Sequence, residues 1–223
     1  MNVLLFGATG MVGQGVLREC LQARDVALVQ TVGRKATDQQ NAKLKEVVQD
    51  NLFDVDAMAS ELQGFDACFF CLGVSAAGMT EAAYSHLTYD LTLAVAEKLA
   101  AWNPGMTFTY VSGAGTDSTE QGRSMWARVK GRTENALQRL PFKAVYVFRP
   151  GVIQPLHGIR SKTASYQLFY SLTKPLLTPL RTLLPNHILT TEMVGQAMLA
   201  VVRHGYAKAV LETADIRALA ATA

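Results

Sequence analysis

The stretch Asn2–Gly15, NVLLFGATGMVGQG, constrains the fold more than any other part of the chain. Asn2-Val3-Leu4-Leu5-Phe6 is a short apolar run that stops at a glycine, and beyond it Val12, Val16, Cys20 and Leu21 recur at helical spacing. A buried strand, a tight turn and a helix follow from that pattern. Gly7, Gly10 and Gly13 fall at the turn and in the first helical turn, where a missing β-carbon lets backbone N–H groups approach a pyrophosphate at the helix N-terminus. Glycines alone are a weak signal, but the strand before and the helix after them are the context that a dinucleotide turn needs. The spacing Gly-x-x-Gly-x-x-Gly is one residue longer at its start than the commonest form. A dinucleotide site is the physical reading, with Thr9, Met11 and Val12 lying against the ligand.

A length of 223 residues suits a single α/β domain, and 49% apolar with 17% charged residues is a globular composition. The apolar runs are strand-sized and the first carries the glycine turn in place of a cleavage site. The expectation is therefore no signal peptide, no membrane insertion and a cytoplasmic location. A net charge of +3, with its basic residues spread along the chain, argues against a nucleic-acid surface. Three cysteines fit a reducing compartment. Cys68 and Cys71 form a Cys-x-x-Cys, but on a strand they point to opposite faces and read as core. His86, His157, His187 and His204 lack metal-ligand spacing, so no metal is expected.

A second buried strand, Asp25–Val32, ends at Gly33-Arg34-Lys35. Where an acidic residue would take a ribose 2′-hydroxyl, this chain is basic, and Arg34 and Lys35 suit a 2′-phosphate; an ordinary solvated pair is the alternative. Ala36–Lys45 reads as loop and Glu46–Gln49 as a short strand leading to Asp50-Asn51-Leu52, where an adenine can be met. Asp54 is placed to cap a short helix ending at Leu62 before Gly64. Phe65–Leu72 is the next strand, leaving through the small residues Gly73–Gly78 and placing Cys71, Leu72 and Gly73 near the ligand. Glu81–Trp102 reads as one long helix with Leu87, Leu91, Val95, Leu99 and Trp102 inward, ended by Asn103-Pro104-Gly105. Met106–Val111 is a strand ending at Ser112.

A helix over Ser124–Leu140 directs Trp126, Val129, Thr133, Ala136 and Leu140 inward. Lys130 shares a face with Trp126, while Arg128 and Arg132 point to solvent. Phe142–Phe148 is a strand that leads to Arg149-Pro150 at the same end of the sheet. The alternation predicts a doubly wound parallel sheet, Rossmann-type, with Gly7, Arg34, Asp50, Gly73 and Ser112 converging on one crevice at the carboxyl ends of its strands. Residues 152–190 break the alternation. Tyr166, Phe169, Tyr170, Leu172 and the prolines at 175, 179 and 185 predict broken helices, a small helical lid or an oligomer contact. Thr190-Thr191-Glu192 opens a helix closed by Gly205, and Lys208–Leu211 adds a last strand.

In that order and spacing, GATGMVG, VGRK, CLG, YVSGAG, WARVKG and FRPG resemble the short-chain dehydrogenase/reductase superfamily, specifically its atypical members and the Tat-interacting-protein group of NADPH-binding proteins. The resemblance spans residues 1 to about 200. It implies NADP(H), in preference to NAD(H), held by Gly7, Gly10, Gly13 and Arg34; it also places Ser112 at the catalytic serine and Lys130 at the lysine of Tyr-x-x-x-Lys, and makes a homodimer plausible. One position departs: Trp126 stands where the family carries its proton-donating tyrosine, and an indole N–H donates a hydrogen bond but does not titrate near neutrality. Trp126 is open between a core position and a pocket wall. Tyr84, at a helix start, is the better substitute phenol, ahead of Tyr110 and Tyr89. The chain then reads as an oxidoreductase on a small carbonyl or alcohol of unknown identity, or as a non-catalytic NADPH-binding module acting through protein contacts. A nucleotide-sugar epimerase is weakened by the same missing tyrosine.

Overall fold

In this computed structural model, which describes residues 1–159 and 188–222, the N-terminal strand β1 (Asn2–Phe6) has Val3, Leu4, Leu5 and Phe6 wholly buried. A parallel strand covered on both faces requires such an unbroken apolar run. It feeds through the glycine turn into α1 (Met11–Gln22), followed by β2 (Leu28–Gly33) and β3 (Leu44–Val48). β4 (Ala67–Phe70) leads to the helical stretch α2 (Glu81–Ser85) and α3 (Leu91–Trp102), then β5 (Thr107–Val111), α4 (Met125–Leu137) and β6 (Ala144–Arg149). After β7 (Val152–Gln154) come β8 (Ile188–Thr190), α5 (Thr191–His204), β9 (Val210–Glu212) and α6 (Thr213–Ala220). The seven-stranded sheet runs β3-β2-β1-β4-β5-β6-β9 with every pairing parallel. Chain direction across it reverses between β1 and β4, which is where a doubly wound sheet opens its crevice.

Successive strand residues face opposite sides. Val3, Leu5, Val29 and Phe69 pack with α1, α5 and α6, whereas Leu4, Phe6, Val32, Phe70 and Phe108 pack with α3 and α4. Cys68 belongs to the second layer and Cys71 lies against the first, in keeping with their spacing.

Several expectations need correction. Over Asp54–Leu62 there is only a 3₁₀ turn at Asp56–Met58. The backbone after it is held by Asn103, whose Oδ1 accepts from Gly64 N–H (2.8 Å) and Phe65 N–H (3.1 Å) while Nδ2 donates to the Leu62 carbonyl (2.9 Å). The predicted helix over 81–102 contains a π-helical turn, His86–Asp90, that shifts the phase of the apolar stripe. Thr88 is thereby buried, and Leu87, expected inward, is 41% exposed.

α4 stops at Leu137, with Glu134 and Leu137 buried beside Val129 and Thr133, while Ala136 and Leu140 are only half-buried. Its arginines are not simply solvated: Arg128 pairs with Glu81 at 2.6 Å and the Arg132 guanidinium lies 4.0 Å over the Tyr89 ring. The segment predicted as helical over 152–190 has strands at both ends, β7 and β8, paired in parallel with Val152 opposite Ile188. Residues 160–187, including Tyr166, Phe169, Tyr170, Leu172 and His187, lie outside the described residues. α6 was not foreseen; a reciprocal cap between Glu212 and Asp215 starts it. Among the described residues no helix is long and apolar enough to cross a membrane.

Candidate functional site

The glycine turn is built by close backbone approach. Gly7 has φ +80°, and a β-carbon there would sit 2.7 Å from the Cys71 carbonyl. A β-carbon on Gly13 would come within 2.1 Å of the Gly7 carbonyl oxygen, so α1 can lie against the turn only without a side chain. Gly10 donates its N–H to the Gly7 carbonyl at 2.9 Å, which makes it part of the turn and removes that N–H from ligand binding. No side chain caps α1 and no acidic residue stands in its first turn. The first N–H groups of the helix, which lack i−4 carbonyls, are therefore presented to an anion.

The predicted single crevice is two cavities flanking this turn. The first, about 560 Å³, is lined by Ala8 and Thr9, by Thr31–Lys35 at the end of β2, by Thr37, Asp50 and Leu52, and by Gly7 and Leu72. Arg34 and Lys35 are exposed and neither makes a hydrogen bond or ion pair with any described residue. Beside them, Glu46 of β3 fixes the loop by accepting from Thr37 N–H (2.8 Å) and Thr37 Oγ1 (2.6 Å).

The second cavity, about 600 Å³, begins at Met11 and Val12 and is walled by Val74–Ala77, Tyr84, Val111–Ala114, Trp126, Lys130, Pro150, Gly151 and Ile153. Trp126 is a wall residue: its ring lies 3.7 Å from where a β-carbon on Gly115 would be. Ser112 Oγ is 2.9 Å from Thr116 Oγ1, which itself donates to the Gly113 carbonyl at 2.8 Å. Ser112 is therefore the donor of that pair, and its proton points at Thr116. Lys130 Nζ donates to the Val111 carbonyl at 3.4 Å and sits 5.3 Å over the Tyr110 ring. Burial lowers its pKa from 10.5 to about 8, with the Glu134 carboxylate opposing the shift. Tyr110 is buried in the core and its phenol is pushed far up by burial, with Tyr84 and Glu134 adding to the effect, so it is no proton donor for this cavity. Tyr84 does line the cavity. Tyr89 lies under Arg132 instead.

Four expected contacts differ in detail. The Arg149 guanidinium is taken by buried Glu134 (2.5 Å), Glu212 (3.3 Å) and Ser118 (2.5 Å) and lines neither cavity, although Pro150 lines the second. Asn51 accepts from Phe53 N–H at 3.2 Å and shapes the turn between Asp50 and Leu52. Cys71 contributes backbone beneath Gly7. Gly73 lies between Leu72, which lines the first cavity, and Val74, which lines the second. Unforeseen at the site are Thr31, Thr37, Glu46, Thr116 and Ile153. All are small or aliphatic residues or a strand carboxylate in no motif, and only topology brings them there.

Residues 7–143 match the model of a family described as NAD(P)H-binding. The chain is 29% identical over 154 residues to Protein HTATIP2 of Rattus norvegicus, a match covering 68% of this chain and 62% of that protein. It is 31% identical over 163 residues to the mitochondrial Protein fmp52 of Emericella nidulans, covering 68% and 66%. The matched region thus spans less than two thirds of either relative. The fold is shared with the Bordetella bronchiseptica enzyme WbmF in complex with NAD+, at TM-score 0.69 and 15% identity over 97% of this chain and 76% of that one. It is likewise shared with a UDP-N-acetylglucosamine 4-epimerase from Methanobrevibacter ruminantium M1, at TM-score 0.69 and 11% identity over 95% and 75%.

Proposed function

The chain belongs to the NAD(P)H-binding family, within the atypical short-chain dehydrogenase/reductases, and from that premise we propose that it binds NADP(H) in preference to NAD(H) and acts as an oxidoreductase on a small carbonyl or alcohol. One observation carries this reading: two cavities flank one helix N-terminus that no side chain caps, with Arg34 and Lys35, unpaired among the described residues, in the first and Ser112 and Lys130 in the second. A bound nicotinamide nucleotide supplies hydride chemistry. Arg34 grips the 2′-phosphate with its guanidinium fork and Lys35 adds a point charge. Asp50 and Leu52 border the adenine, and the first N–H groups of α1 hold the pyrophosphate. Lys130 holds the nicotinamide ribose, and Ser112 orients the substrate oxygen by turning its hydroxyl from Thr116. Water, or the Tyr84 phenol that lines the same cavity, supplies the proton.

Calorimetric titration tests the cofactor choice. NADPH is expected to bind at least about tenfold tighter than NADH, a difference of about 1.4 kcal/mol. Arg34→Ala is expected to erase most of that difference, and equal affinities in the unmodified protein would refute the phosphate assignment. Trp126 favours a second reading, an NADPH-binding module without turnover that acts through protein contacts. Failure of bound NADPH to reduce any of a panel of quinones and aldehydes would select it.

The whole chain as one domain, a lid over residues 152–190 and a homodimer are further proposals, the last checked by sedimentation. A cytoplasmic location is also proposed; since fungal relatives are named mitochondrial, cell fractionation is the check.

A further inference from the structure

The second cavity says more about the substrate than that it is small. Among the described residues, Lys130 is the one charged side chain lining it, and apart from the Ser75, Ser112 and Tyr84 hydroxyls the walls are aliphatic or aromatic, with Tyr84 and Trp126 offering ring faces. A phosphate- or carboxylate-bearing substrate would find no arginine to grip, and a cationic one would meet an ammonium. A planar, uncharged molecule fits such walls.

The donors of the cavity narrow the chemistry further. Reduction of an ordinary aldehyde or ketone yields an alkoxide, nearly as basic as hydroxide, whose conjugate acid water has a pKa of about 15.7. Such a product needs an acid at the moment of hydride transfer, and Trp126 is not one. The Ser112 proton is directed at Thr116. The Tyr84 hydroxyl is a neutral donor on the same wall, whereas Lys130 Nζ, with three N–H donors and one long bond to the Val111 carbonyl, is the charged donor able to meet a full negative charge. It can stabilise an oxyanion of phenol-like basicity, pKa about 10, without having to protonate it in concert.

Resting on the NADP(H) reading above, we propose that this cavity takes planar, uncharged quinones and that the Lys130 ammonium stabilises the phenolate-type oxyanion formed as they are reduced. Hydride from the reduced nicotinamide breaks one C–H bond there and forms a new bond from hydrogen to the quinone. The quinone, two electrons and one proton richer, becomes a hydroquinone monoanion, and the nicotinamide is left oxidised. A proton from water then completes the hydroquinone. Glu134, one turn along α4 and tied to Arg149, acts on the Lys130 charge, the Tyr110 ring of β5 lies under its Nζ, and Tyr84 of α2 lines the same cavity.

Para-nitrophenol is the probe, because its phenolate absorbs in the visible and its neutral form does not. At a pH below its own pKa, adding the protein, with and without NADP+, is expected to raise a saturable phenolate band. Lys130→Arg is expected to keep the band, since charge and donors remain, and Lys130→Met to abolish it. Absence of the band with the unmodified protein, or its persistence in Lys130→Met, would overturn the proposal. The separate NADPH titration keeps the outcomes apart: cofactor binding without a phenolate band refutes the quinone inference alone, and no cofactor binding refutes the reading beneath it.

Discussion

Lys130 has a cost as well as a use. Burial holds its pKa at about 8 in the folded chain against an ordinary 10.5, and Glu134 opposes that shift without cancelling it. Below pH 8 the lysine is protonated folded and unfolded alike, so the folded state carries the full desolvation penalty. Between pH 8 and 10.5 the unfolded chain holds a proton that the folded chain has lost, and stability from this group rises with pH. Lys130→Met is therefore expected to unfold at a higher temperature than the unmodified protein at pH 7, with the gap narrowing as pH climbs from 8 towards 10.5. Thermal melts across that range check it, and a less stable variant at pH 7 would show that Nζ makes contacts worth more than its burial costs. Lys130, Ser112 and the missing phenol at Trp126 were legible in the sequence because their motifs are short and local. Arg149 was misread for the opposite reason. Its partners Glu134, Ser118 and Glu212 sit on a helix, a loop and an edge strand, and no spacing along the chain announces that they meet.

At the scale of elements, the β1–turn–α1 unit was fully legible, since an all-apolar strand, a glycine at φ +80° and an uncapped helix start each leave a mark in a short stretch. The π-helical turn His86–Asp90 left none. Its one extra residue per turn alters the burial of Leu87 and Thr88 without changing the composition of the helix, so a regular 3.6-residue period carried straight through it. α6 escaped because its eight residues follow a three-residue strand, too short for a period to register. Gly13 shows what the legible unit depends on. A methyl group there would sit 2.1 Å from the Gly7 carbonyl oxygen, which also accepts the Gly10 N–H, so α1 or the turn has to move. Gly13→Ala is expected to cost about 1–3 kcal/mol by overpacking. It is also expected to weaken NADPH at least about tenfold, because the displaced helix no longer aims its N–H groups at the pyrophosphate. Gly105→Ala, with nothing within 4 Å of its β-carbon, is the control expected to do neither. A Gly13 variant that binds normally would mean the helix start does not hold the cofactor.

For the molecule as a whole, the sheet order sets β2 and β3 on one side of β1 and β4, β5 and β6 on the other. The strand ends bearing Arg34 and Asp50 accordingly open one cavity, and the strand end bearing Ser112, with Lys130 of α4, opens the other, with the helix start between. A dinucleotide lying across both should be divisible. An adenosine bisphosphate carrying the 2′-phosphate would fill only the first cavity, and nicotinamide mononucleotide only the second. A ligand that binds only the folded chain stabilises it by about 2.7 kcal/mol at a hundredfold excess over its Kd. For a chain of this size that raises the melting temperature by about 2–4 °C per kcal/mol. Arg34→Ala is expected to abolish most of the shift from the adenosine fragment and leave that from the mononucleotide intact, and Lys130→Met to do the reverse. Intact NADPH should shift the melt further than either fragment at equal concentration, because its second half binds at the high effective concentration set by the first. If both variants weakened both fragments alike, the two cavities would be one site, and assigning cofactor choice to β2 and substrate chemistry to β5 and α4 would fall with them.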